Sequence, residues 1–220
     1  MRHETVAWER TVGMALLILF GGCGMPEPDT PLTAAAARGD TAQVRQLLER
    51  GVEVDQPLSR GLTALMLAAR LGDLLTVRAL LEAGANPDTR DTFVNGWTAL
   101  MHAVHKGQFE VARGLLDAGA GVDAANPDGV TPLILVSGDG RSDIVRLLLD
   151  RGADPRAHTR CGATALVNAV AAGDTDSVKA LLAKAPDLRL DDTFGDLLAL
   201  LMARLRGHGE IAAMLEEHRP

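Results

Sequence analysis

The chain has 220 residues, 47% of them apolar and 23% charged, with a formal net charge of −7 at pH 7, a pI near 5.3 and a mean hydropathy of +0.08. That composition is globular, and the acidic balance argues against a nucleic-acid binder or a basic membrane-surface protein, both of which draw affinity from Lys and Arg. The six aromatic residues, two Trp and four Phe with no Tyr, exclude a ring-built core, and the two cysteines exclude a disulfide framework or a Cys-rich zinc site.

Residues 1–22 are expected to form an export signal. Arg2 and Arg10 precede the apolar run Val12 to Phe20, and the small residues Gly21, Gly22 and Gly24 surround Cys23. Nine helical residues span roughly 14 Å against a hydrocarbon core of about 30 Å, too little to cross a bilayer. Leu-Phe-Gly-Gly-Cys resembles a bacterial lipobox, with Phe20 standing where that pattern prefers Leu, and this resemblance implies lipidation at Cys23 and a short tether over 23–29. Ordinary cleavage after Gly24 and a retained N-terminal helix capping the first repeat are the competing readings.

The remainder, 30–220, repeats itself. TPLTAAAARGD from Thr30 aligns with TALMLAARLGD from Thr63, TALMHAVHKGQ from Thr98, TPLILVSGDGR from Thr131 and TALVNAVAAGD from Thr164, at spacings of 33, 35, 33 and 33. A glycine nine residues after each Thr (Gly39, Gly72, Gly107, Gly140, Gly173) repeats the series, and Gly207 extends it to a sixth unit starting near 198. Each unit is expected to be two short helices, the first capped by the Thr hydroxyl and ended by that glycine, the second burying a Val and a Leu pair. A unit of this size cannot bury its own apolar face and must stack on its neighbours, which predicts an all-α repeat solenoid of about six units. The 35-residue unit is longer because the loop from Gly84 to Gly96 carries two extra residues, among Thr92, Phe93, Val94 and Asn95.

This pattern resembles the ankyrin repeat over about Asp29 to His218. The resemblance implies an elongated stack with a concave groove and loop fingers, used to bind a protein partner. The fourth position of the family's Thr-Pro-Leu-His turn is Thr33, Met66, Met101, Ile134 and Val167 here, so the polar link of that His is expected to be replaced by apolar contact. The last unit lacks the Thr and Pro, ends in Glu216, Glu217, His218 and Arg219, and reads as a cap with a wetted outer face.

No phosphate loop, GxSxG elbow or HExxH stretch is present, so the expectation is a non-enzymatic protein without a cofactor. His102 and His105 stand at helical i, i+3 spacing, but two imidazoles need a third ligand and the adjacent Lys106 repels a cation. Asp139 and Asp143 suit a turn better than a calcium loop. Cys161 is expected in an exposed loop. An enzyme or redox accessory using His102, His105 or Cys161 is the less favoured alternative.

In the family the groove positions lie four, seven and eight residues after the Thr. Carried over, they place Arg38, Leu67, Arg70, Leu71, His102, His105, Lys106 and Leu135 on a mixed basic and apolar surface, one that would suit an acidic protein segment anchored by leucines. Phe93 and Val94 at the tip of the long finger, beside Trp97, are further binding candidates, because exposed aromatics serve as anchors. The expected protein is a monomeric binding module of the bacterial envelope, periplasmic or membrane-anchored through Cys23. It would be cytoplasmic if the first segment is not a working signal. An accessory or immunity partner of an envelope enzyme is a further option within that reading.

Overall fold

The computed structural model describes residues 30–58, 61–92, 96–185 and 194–218. The expected signal, the tether and Cys23 therefore lie outside the described residues, as do Phe93 and Val94. The described residues form twelve helices: α1 (Pro31–Arg38), α2 (Thr41–Glu49), α3 (Ala64–Leu71), α4 (Leu74–Glu82), α5 (Ala99–His105), α6 (Phe109–Asp117), α7 (Pro132–Ser137), α8 (Ser142–Asp150), α9 (Ala165–Ala172), α10 (Thr175–Lys184), α11 (Phe194–Leu205) and α12 (Gly209–Glu217). Odd-numbered helices pack on odd and even on even in chain order, and each pair packs on itself, which is the expected all-α solenoid. None of these helices is long and apolar enough to cross a membrane.

Local chemistry sets the helix ends. Each of Thr30, Thr63, Thr98, Thr131 and Thr164 sits in extended backbone, and its hydroxyl accepts the N–H three residues on at 3.2–3.4 Å. That hydrogen bond satisfies one of the donors a helix start leaves unpaired. Asp40, Asp73 and Asp174 cap the second helices in the same way, and the last two also accept the hydroxyls of Thr76 and Ser177 at 2.6 and 2.5 Å. Gln108, Arg141 and His208 hold the corresponding position without a side-chain cap.

The core is a continuous strip of small and aliphatic side chains, with Ala36, Ala69 and Val104 on the first helices and Val44, Val77, Ala112, Val145 and Val178 on the second, all fully buried. Alanine on the first helices lets neighbouring units approach closely. The side chain that begins the second helix then lies over the turn glycine of the preceding unit: a Cβ on Gly72 would stand 2.3 Å from Gln108, on Gly107 2.0 Å from Arg141, and on Gly173 2.7 Å from His208. The fingers are tied by a ladder in which Asp55 accepts the N–H of Asn86 (3.0 Å), Asp88 that of Gly121 (2.9 Å) and Asp123 that of Asp154 (3.1 Å).

Finger length shows in the backbone pair that closes each loop. Leu58 pairs with Leu62, Asn126 with Val130 and Thr159 with Ala163, four residues apart, whereas Asp91 pairs with Trp97, six apart. The two extra residues thus lie between Asp91 and Trp97, as expected from the arithmetic. In the last unit Glu216, Glu217 and His218 are exposed, as a wetted cap requires, but Leu201 and Leu205 are exposed too, so its outer face is not uniformly polar.

Two glycines separate backbone conformation from contact. Gly140 has φ 69° and open space around a Cβ, while Gly61 has φ 75° and would place a Cβ 2.7 Å from the Thr92 backbone nitrogen. Gly140→Ala should cost about 1–2 kcal/mol for the left-handed conformation alone. Gly61→Ala should cost about 1–3 kcal/mol more from overpacking against backbone, read as urea midpoints at constant slope.

Candidate partner-binding site

The three groove rows differ in exposure. The row eight residues after each Thr is open: Arg38, Leu71, Lys106, Asp139 and Ala172 are all exposed, with Leu71 at 41%, and so is Arg206 at the matching place of the last unit. The row seven residues after is intermediate, with Arg70 half-buried and His105 exposed. The row four residues after is the most closed, with Leu67 and His102 buried and Ala34, Leu135 and Asn168 half-buried.

That closure corrects two expectations. Leu67 is 2% exposed and His102 3%, so neither offers surface to a partner. Leu135 is half-buried. Arg38 is exposed with its guanidinium on Gln43 at 2.7 Å, and Lys106 is exposed. Trp97 is half-buried and meets both imidazoles edge-on, with ring centroids 5.4 Å from His102 and 5.2 Å from His105. Cys161 is exposed as a free thiol, as expected for its loop.

His102 instead anchors the long finger. Its Nε2 lies 2.7 Å from Asp91 Oδ2, with the two side chains 4% and 0% exposed. Asp91 Oδ1 accepts the backbone N–H groups of Gly96 (3.2 Å) and Trp97 (3.1 Å). One buried carboxylate thus closes the enlarged loop and fastens it to α5. The expectation that apolar contact replaces the family's polar link therefore fails in this unit, where the link comes from the next position along the helix. It fails in the first unit as well, where the Thr33 hydroxyl donates to the Thr30 carbonyl at 2.9 Å. At Ile134 and Val167 apolar burial does take the place of the imidazole.

Sequence reasoning missed Asp91. In the other fingers the closing residue stands three before the loop glycine (Leu58 and Gly61, Asn126 and Gly129, Thr159 and Gly162), but the insertion moves Asp91 to five before Gly96. The recoverable signal was a lone Asp ahead of an insertion that precedes the one unit with a His five residues into its helix motif.

His105 is an exposed titratable group of the seven-residue row. Partial burial pushes its pKa below the ordinary 6.5, the Lys106 cation adds to that, and Asp139, 3.8 Å away, opposes it. His102 Nε2 is taken by Asp91, so the two histidines do not present a paired metal site. Among the described residues no group of three His, Cys, Asp or Glu is arranged to hold a metal ion.

Two measurements follow from this geometry. Asp91→Ala strips an acceptor from two backbone amides and an imidazole at once, and should cost about 3–5 kcal/mol by chemical denaturation; Asp91→Ala with His102→Leu should cost less than the sum of the single changes. For His105, a folded pKa below the unfolded value means that the unfolded chain binds more protons as pH falls through 6.5. Stability should therefore decline from neutral toward acidic pH, and His105→Gln should flatten that part of the profile by a small amount, since the side chain is 42% exposed.

The family model for ankyrin repeats matches the chain in three copies, over residues 7–91, 86–159 and 138–219. A search of curated proteins finds no match.

Proposed function

The chain belongs to the ankyrin-repeat family, and from that premise we propose that it is a non-enzymatic binding module of the bacterial cell envelope that holds a protein partner through its open groove edge and fingers. Ankyrin repeats are generally protein–protein interaction modules. The observation that carries the reading is the exposed row Arg38, Leu71 and Lys106, with half-buried Arg70 beside it: cations and a large apolar side chain held open to solvent on a chain of net −7. Such a mixture suits recognition of another protein, in which charge steers encounter and an apolar contact supplies affinity.

The place of action rests on the first segment. Basic residues, a nine-residue apolar run and Cys23 among glycines support export with lipidation at Cys23. About six residues would then separate the anchor from the first unit, a reach of roughly 20 Å at full extension, which keeps the stack near the membrane. The multiple acyl chains of a bacterial lipoprotein would anchor it stably where one would not.

Labelled palmitate should enter the wild type and not Cys23→Ser, and the variant should leave the membrane fraction; unlabelled wild type would remove the anchor from the proposal. Capture from cell envelope should yield a partner with the wild type and lose it with Arg70→Glu plus Lys106→Glu. Retention of the partner by that variant would move binding away from the groove edge, and turnover abolished by His105→Ala would replace binding by catalysis.

A further inference from the structure

Among the described residues the Lys and Arg ion pairs all lie in the later units, although Arg141, Arg146, Arg160 and Arg206 make none there. In the later units Arg113 pairs with Glu110, Arg151 with Asp117 (2.8 Å), Lys179 with Glu210 (2.8 Å), Lys184 with Asp150 (3.1 Å) and Arg204 with Glu216. Among the described residues of the first two units and the turn of the third, Arg45, Arg70, Arg78 and Lys106 make no ion pair, although all but half-buried Arg70 are exposed.

Three of these cations stand next to an apolar patch: Arg70 precedes Leu71, Arg78 follows Leu75 by three residues, and Lys106 holds the position of Leu71 in the next unit. Leu71 (41% exposed) ends α3 and Leu75 (60%) begins the exposed face of α4, either side of the Gly72 turn. The intervening Leu74 is half-buried and reaches under the next unit, with its Cδ1 at 3.1 Å from where a Cβ on Gly114 would stand. Leu75 has no such cover, and Arg78 follows it by three residues on the same helical face. In the second-helix position that Leu75 occupies, the four following units carry Glu110, Asp143, Asp176 and Glu210.

The three turns form one edge. The hydroxyls of Thr41 and Thr76 meet at 2.8 Å, joining the first turn to the second, and the Gln108 amide donates to the Leu71 carbonyl at 3.4 Å, joining the second to the third. Neighbouring acids are already engaged as helix caps: Asp40 on Gln43, and Asp73 on Thr76.

We propose that this turn edge, Leu71 and Leu75 with Arg70, Arg78 and Lys106 beside them, docks an acidic partner segment that carries aliphatic side chains. The inference rests on the binding-module reading above and names the chemistry and place of its partner. Charge complementarity selects the occupant: unpaired cations beside a two-leucine patch repel a basic amphipathic helix and leave a purely polar acidic one without apolar contact. Leu75 extends the surface past the groove rows and onto the second helix.

The test uses the full chain and three labelled helical peptides, one of Glu and Leu, one with Lys in place of Glu, and one with Gln in place of Leu. By fluorescence anisotropy at low salt the Glu/Leu peptide should bind at least about tenfold tighter than the other two, and several hundred millimolar salt should weaken it. Leu71→Asp plus Leu75→Asp, and separately Arg78→Glu plus Lys106→Glu, should each lose about tenfold or more, while Leu205→Asp and Arg160→Glu should not. Unchanged melting temperatures check that the variants fold. Equal binding of the Lys/Leu peptide, no binding of the Glu/Leu peptide, or indifference to both double variants overturns the proposal. Binding to phosphatidylglycerol vesicles with no peptide binding assigns the patch to lipid and overturns it as well. An envelope partner still captured by Leu71→Asp plus Leu75→Asp leaves the binding-module reading standing while this surface falls.

Discussion

Every unit here is too small to bury its own apolar side, so the contact between one unit and the next sustains the molecule. That contact is made close by small residues. Alanines along the first helices bring backbones together, and three of the turn glycines give their empty Cβ position to the neighbouring side chain, Gly72 to Gln108, Gly107 to Arg141 and Gly173 to His208. The glycines thus serve two demands at once, a left-handed backbone that ends the helix and room for the next unit to nest. Stability in such an array is the sum of what each unit contributes and what each junction contributes. A change at a junction therefore weakens two units, whereas a change on an open row weakens none.

What was legible in the sequence was what is local. Thr30 and its four counterparts cap helices through a bond that spans three residues, and Gly39, Gly72 and Gly173 end them through their own left-handed φ, so aligned motifs placed the helices even where the stop came earlier, as at Ser137 before Gly138 rather than at Gly140. The long finger was found by counting alone. Exposure was harder, because it depends on who stands opposite. Leu67 and His102 occupy the same row as half-buried Leu135 and Asn168, and only the packed neighbours distinguish them. Asp91 escaped for a different reason: the insertion that makes it useful also displaces it from register.

Charge is distributed along the stack as unevenly as apolar surface is. In the later units five acids pair with cations of the same chain among the described residues, which ties those units together weakly. The described cations of the first units make no ion pair, and leucine stands at position 75 where acids recur downstream. A net charge of −7 for the whole chain hides this division. Residues 30–97 are close to neutral while the later units carry most of the negative charge, so the field is weakest around the first units and local contacts there decide which charges can approach.

The buried carboxylate under the long finger also bears on how the chain can change over generations. Asp91 closes its loop on Gly96 and Trp97 and bolts the base to His102, so the ends of the insertion are fixed to the stack by residues outside it. Additions there alter neither the spacing of α3 and α5 nor the nesting of the turns, and loop closure penalises added length only logarithmically. The finger is thus a site where new sequence can be tried while the scaffold remains constant, and the same clasp makes it the natural place to graft a binding loop.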